Sequence, residues 1–195
     1  MMKSLLIPAL ILLPLAKPFS SLPLGSPIPK ADIQVKDVSG KAVSLQQAKG
    51  TNGLLVMFSC NTCPYVIRNQ GRTKAVCVYA AQHQIGVILL NSNESSRDGG
   101  NSFAEMQSYA KVQDYQWYYA LDDHAVLAGA FGASRTPECF LFDKNGILVY
   151  HGAIDDSPGD PSSVKRHHLQ AAIDEMIDGK PVTVKETRSV GCSIR

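Results

Sequence analysis

Two cysteines, Cys60 and Cys63, stand in the stretch MFSCNTCPYV, between an apolar run and a proline. Thiolates hold soft metals, close disulfides or attack other sulfurs, so the pair admits three chemistries. A structural zinc site needs about four ligands. CNTC supplies only part of that set, no second C-x-x-C follows, and no histidine has a motif spacing to the pair. A copper relay asks for less: Cys60 and Cys63 as thiolates, with His124 or His151 as a distant third ligand. A static staple is poorly motivated, because a C-x-x-C disulfide closes a tiny loop and constrains the unfolded chain little. Disulfide exchange suits the placement best.

The reason lies in the elements on either side. LLVMF reads as a strand buried on both faces, and a helical pattern runs from about Thr62 to Gln82. Cys60 is then expected at a helix N-terminus, where unpaired N–H groups and the macrodipole favour an anion. That setting lowers a thiol pKa and enriches the attacking thiolate. Cys63, one turn on, is positioned to resolve a mixed disulfide. Pro64 is tolerated in a first turn.

The rest of the chain supplies a sheet and its cover. ADIQVKDVSGKAVSLQQAKG alternates about Ser39-Gly40 as a β-hairpin does. IGVILLNS is a second buried strand, SSRDGGN a loop, and Ser102 with Glu105 a capping box for FAEMQSYAKV. WYYAL is a third strand, followed by a short helix capped by Asp122 or Asp123 and ended by Gly132. DKNG turns a second hairpin. A last helix is expected after Pro161, with Val164, Leu169, Ala172, Ile173, Met176 and Ile177 on one face. Strands alternating with helices, then a hairpin and a helix, give an α/β sheet of mixed strand direction.

The chain has 195 residues, a formal net charge of +2, and neither a basic run nor an acidic tail, so nothing points to nucleic acid. Lys3 followed by the short apolar run Leu5 to Ala16 reads as a secretory signal peptide within residues 1–20, with an uncleaved anchor as the alternative. A Pro-rich, flexible lead-in (21–30), a single domain (31–182) and a tail (183–195) follow. The expected location is periplasmic or secreted, with no stable membrane insertion once the signal is removed. Of the 5 cysteines, Cys77 and Cys139 fall in apolar stretches and read as core. Cys192 lies in the polar tail. It is a candidate third redox thiol, a bridge between chains, or half of a static disulfide with Cys77. No glycine-rich phosphate loop occurs, so no organic cofactor is implied.

Three stretches together carry a family resemblance: LLVMFSCNTCPYV, SRTPECFLFDKNGILVYHGAIDD, and the tail's VGCSIR. With VKDVSGKAVSL they resemble exported redoxins of the thioredoxin-like superfamily, of peroxiredoxin-like and TlpA-like kind. The resemblance implies an α/β thioredoxin-like fold, a central mixed sheet flanked by helices with an N-terminal hairpin extension. It implies Cys60 as nucleophile, Cys63 as resolving thiol and Pro137 as a cis-proline facing them. Thr136 would offer its backbone to an extended substrate segment. Partners would be protein thiols and disulfides, with a membrane or soluble electron donor. Thr62 replaces the histidine many relatives carry between the cysteines. Arg135 replaces a cysteine found in some, and would bring positive charge toward the pair. A thiol peroxidase is the enzymatic alternative, yet neither cysteine carries P-x-x-x-[TS]-x-x-C. Counting back from Cys63 gives Cys60 and Val56; from Cys60, Met57 and Gly53.

Overall fold

The computed structural model describes residues 21–195; the expected signal peptide lies outside the described residues. β1 (Val35–Asp37) and β2 (Ala42–Val43) form the expected hairpin. A short helix the alternation hid, α1 (Leu45–Ala48), follows, closed by a reciprocal capping box between Ser44 and Gln47. β3 (Gly53–Ser59) is buried at every residue. It leads into α2 (Pro64–Gln82) and then the parallel strand β4 (Ile85–Asn91). α3 (Phe103–Val112), with Ser102 Oγ accepting the Glu105 N–H, connects to β5 (Tyr118–Leu121), parallel to β4. After α4 (Val126–Phe131) come the two-residue β6 (Arg135–Thr136), the antiparallel pair β7 (Glu138–Phe142) and β8 (Leu148–Gly152), and α5 (His168–Ile177).

The main sheet runs β2-β1-β5-β4-β3-β7-β8. Its two faces follow from the side-chain alternation of the strands. Leu55, Met57, Val87, Leu89, Cys139 and Leu141 pack with α2, α3 and α5, through Val76, Cys77, Met106 and Ile173. Leu54, Val56, Phe58, Ile88, Phe140 and Phe142 pack on the other side against Leu45, Leu127 and Phe131. The continuous apolar run of β3 is thus a strand covered on both faces.

Three local expectations are corrected. α2 begins at Pro64 with Cys63 as its N-cap, so Cys60 lies in the bend before the helix rather than on it. α5 begins at His168, leaving Val164 extended beyond a 3-10 turn, Pro161–Ser163. Asp160 accepts the Ser162 N–H and the hydroxyls of Ser162 and Ser163, which satisfies that turn locally and competes with a helix. The lead-in is tied down instead of loose: Gly25 N–H donates to Leu148 O, Leu148 N–H to Ser26 O, and Ile28 N–H to Gly146 O.

The tail is an integral part of the fold as well. Its Lys185 carbonyl accepts the His151 N–H, its Thr187 N–H donates to His151 O, and Thr187 Oγ1 accepts the Ala153 N–H at 2.9 Å. Beyond this latch the chain forms β9 (Cys192–Ser193), which pairs antiparallel with β6.

Candidate active site

The site forms where β3 ends. β7 runs antiparallel to β3 with Phe58 opposite Glu138, so the residues preceding β7 meet the residues following β3. The Thr136–Pro137 peptide bond there is cis, as the resemblance implied. Thr136 is fully buried against both cysteines: its hydroxyl lies 3.9 Å from Cys60 Sγ, and its carbonyl oxygen 3.3 Å from Cys63 Sγ. Cys60 Sγ accepts the Cys63 N–H at 3.0 Å, a donor left free because Cys63 opens the helix. Cys60, Cys63 and Val66 form a small cluster with Tyr65 and Cys192 against it.

The disulfide is not the expected one. Cys63 is bonded to Cys192, across 129 residues of sequence with Cα atoms 6.0 Å apart, and Cys60 is a free, buried thiol. The β6–β9 pairing explains this, since its register sets Thr136 opposite Cys192 and so delivers the tail sulfur to Cys63. Cys77 and Cys139 are free and buried, and desolvation pushes both thiols well up. The expected alternative of a Cys77–Cys192 disulfide is therefore overturned.

Arg135 serves the tail: its Nη1 donates to Ser193 Oγ at 2.8 Å. Of the histidines weighed as copper ligands, His151 Nε2 lies 2.7 Å from Glu138 Oε1 with its ring stacked on Phe140. His124 is solvent-exposed beside Asp123. Among the described residues no histidine joins both Cys60 and Cys63 in a group of potential metal ligands.

Two supports escaped the sequence reading. One is a network of amides beneath the C-x-x-C bend. Asn101 Oδ1 accepts the Asn61 N–H at 2.9 Å and an Asn91 amide hydrogen at 2.8 Å, while Asn101 Nδ2 donates to Thr62 Oγ1 at 3.1 Å. Tyr119 donates to Asn61 Oδ1 at 2.7 Å. Burial pushes the Tyr119 phenol well up, and the Cys60 sulfur adds to the effect, so this donor stays protonated. The only sequence signal was a loop rich in Asn, Ser and Gly, which announces turns without saying which amide meets which.

The other support is Glu138, 4% exposed. Its Oε2 accepts the N–H groups of Ser134 and Arg135 at 2.9 and 3.0 Å, holding β6 in place. Glu138→Ala would strand two backbone donors and take from the His151 ring its carboxylate partner. We expect a loss of about 2–4 kcal/mol in urea unfolding, a few unmade hydrogen bonds to a charged group. A loss under about 0.5 kcal/mol would mean the carboxylate does not hold the loop.

A C-x-x-C bend between a buried strand and a helix, faced by a cis-proline on the neighbouring antiparallel strand, defines a thioredoxin-like oxidoreductase. More particularly, the Redoxin family model matches residues 23–167, and the chain belongs to that family. A hypothetical protein of Sinorhizobium meliloti 1021 is 32% identical, with a TM-score of 0.81 over 90% of this chain and 95% of that one. An uncharacterized conserved protein of Geobacillus kaustophilus is 30% identical, with a TM-score of 0.82 over 89% and 92%. The thioredoxin domain of a thiol-disulfide oxidoreductase of Bacteroides vulgatus shares the fold at 20% identity, with a TM-score of 0.54 over 67% and 89%. The search of curated proteins gave no match.

Proposed function

We propose that the protein exchanges disulfides with other proteins in an oxidising compartment, using Cys60, Cys63 and Cys192 in sequence. The observation that carries this reading is a free Cys60 thiol beside a Cys63 already joined to a third cysteine. In the reduced protein, Cys60 thiolate attacks a partner's disulfide, and one partner sulfur leaves as thiolate. Cys63 thiolate then attacks Cys60 Sγ, releasing the second partner sulfur and closing Cys60–Cys63. Finally Cys192 thiolate attacks Cys63 Sγ, forming Cys63–Cys192 and returning Cys60 as thiolate. Two electrons pass to the partner, and a membrane or soluble dithiol donor restores the protein. Thr136 and Pro137 bound the site where sulfurs meet. Export is supported by the charged-then-apolar leader, and no helix among the described residues is long and apolar enough to cross a membrane.

The test is a pair of rates on the reduced protein, one with hydrogen peroxide and one with a protein disulfide. The proposal expects rapid reaction with the protein disulfide and a peroxide rate no greater than that of free cysteine. Peroxide reacting far faster than with free cysteine would make the protein a peroxidase without the usual peroxide-positioning motif, and would overturn the proposal.

A further inference from the structure

We infer that Tyr119 is a positioning residue for the exchange reaction. Acting through Asn61, it holds the C-x-x-C bend in the shape that lays the Cys63 N–H on the Cys60 sulfur, and so favours the Cys60 thiolate. This rests on the exchange reading above, and it brings in a residue of β5, which is separated from β3 by β4 in the sheet.

The bend from Cys60 to Cys63 has neither helix nor ladder to fix it, so its shape comes from what grips its two middle residues. Asn61 is gripped at every polar group it offers the loop: its N–H donates to Asn101 Oδ1 at 2.9 Å, its Nδ2 to Gly100 O at 2.8 Å, and its Oδ1 accepts from Tyr119 at 2.7 Å. Thr62 Oγ1 accepts from Asn101 Nδ2, and its methyl fills the space that a Cβ on Gly100 would need. The far end of the Tyr119 bond is a fixed point. Tyr119 pairs with Leu89 of β4, its N–H donates to Asp37 Oδ1 at 2.9 Å, and its phenol oxygen accepts from Asn91 Nδ2 at 3.1 Å. Tyr119 is fully buried and Asn61 nearly so. An Asn61 Oδ1 deprived of its donor must turn to find another, because a buried acceptor left unpaired is costly. The N–H of Asn61 is held at the same time, so its side chain cannot turn without straining the peptide that follows Cys60.

The bond this shape protects acts twice. The Cys63 N–H reaches Cys60 Sγ at 3.0 Å. A hydrogen bond to a charged acceptor is stronger than one to a neutral acceptor, so it favours thiolate over thiol. It serves the Cys60 thiolate that attacks a partner's disulfide, and again the Cys60 thiolate that departs when Cys192 attacks Cys63. The titratable groups packed about Cys60 are Cys63, Cys192 and Tyr65, with the phenols of Tyr109 and Tyr119, both pushed up by burial. None of these is a cation, which leaves the N–H of Cys63 and the Thr136 hydroxyl to favour the anion.

The experiment follows iodoacetamide labelling of Cys60 in the reduced protein across pH, each labelled cysteine being located by peptide mass. Labelling tracks the thiolate fraction, so a weakened N–H bond moves the half-maximal pH upward without lowering the rate above it. In Tyr119→Phe we expect that midpoint about one unit higher than in the parent, the size of one weakened hydrogen bond to a charged group. Tyr115→Phe is the control. Its ring meets Tyr119 edge-on at 5.7 Å, but its phenol bonds Gln70 and not the bend, so its midpoint should match the parent's. Asn61→Ala reads the same link should Tyr119→Phe fail to fold. It should shift the midpoint equally, and adding Tyr119→Phe to it should shift it no further. An unchanged midpoint in folded Tyr119→Phe or in Asn61→Ala overturns the inference, as do additive shifts in the double variant or an equal shift in Tyr115→Phe. If Cys60 of the parent labels no faster than the core thiols Cys77 and Cys139 at any pH, the exchange reading fails and takes this inference with it. A parent that labels rapidly and shares its midpoint with Tyr119→Phe removes the inference alone.

Discussion

Replacing Cys60 by serine is expected to reduce protein-disulfide exchange by at least about a thousandfold, as loss of an essential nucleophile does, while the Cys63–Cys192 disulfide still forms. The two halves of that expectation separate the proposed nucleophile from the visible disulfide. Cys60 has no part in the bond joining Cys63 to Cys192. A protein in which that bond did all the chemistry would keep its turnover. Burial alone does not make Cys60 reactive, for Cys77 and Cys139 are buried too. The difference is in their surroundings. Those two thiols lie in the apolar core under α2 and in β7, where desolvation holds them protonated. Cys60 receives the Cys63 N–H on its sulfur and lies against the Thr136 hydroxyl. Steady-state exchange by the purified variant, with mass mapping of its disulfides, reads both halves. Turnover above a tenth of the parent rate would make Cys60 structural and move the nucleophile to Cys63 or Cys192.

What the sequence could announce was decided locally. The apolar run of β3 has one solution at its length, a strand covered on both faces. Ser102 and Glu105 mark the start of α3 because a cap is a contact across a single turn. The C-x-x-C bend was legible for the same reason, being a short motif at a strand-to-helix junction. The cis bond at Pro137 was reachable only through the family resemblance. What stayed hidden depends on residues brought together by the fold. Glu138 is separated from His151 by a hairpin, and Asn61 from Asn101 by α2 and β4. The sequence marks neither pairing, because a carboxylate or an amide in a loop has many candidate partners. Cys192 was recognised as a candidate thiol but not as the partner of Cys63. That pairing is set by the register of a two-residue strand, and its strongest local clue, Gly191, reads in sequence as an ordinary tail glycine. The short start of α5 was missed because Asp160 satisfies its own turn, which helical periodicity does not register.

Cys192→Ser is expected to destabilise the oxidised protein strongly and the reduced protein hardly at all. The Cys63–Cys192 disulfide spans 129 residues, and a loop of that order restricts the unfolded chain by up to about 5 kcal/mol in the chain-entropy picture. Measured gains commonly fall short of that ceiling, so urea unfolding should register a loss of about 3–5 kcal/mol under oxidising conditions. With reductant present, the parent and the variant should agree within about 1 kcal/mol, the size of a few lost tail contacts. A disulfide this stabilising would ordinarily be a permanent staple. Here Cys60 lies in the same bend as Cys63, close enough to its backbone N–H to accept a hydrogen bond. Attack on Cys63 Sγ is then an event within one short loop, while the stabilisation belongs to the whole chain. The bond can therefore exchange rapidly in the folded state, where opening it leaves the native contacts of the domain in place, and still count fully against unfolding. If the oxidised parent and variant unfold at the same urea concentration, the Cys63–Cys192 bond is not populated in solution, and the tail has no part in the redox cycle.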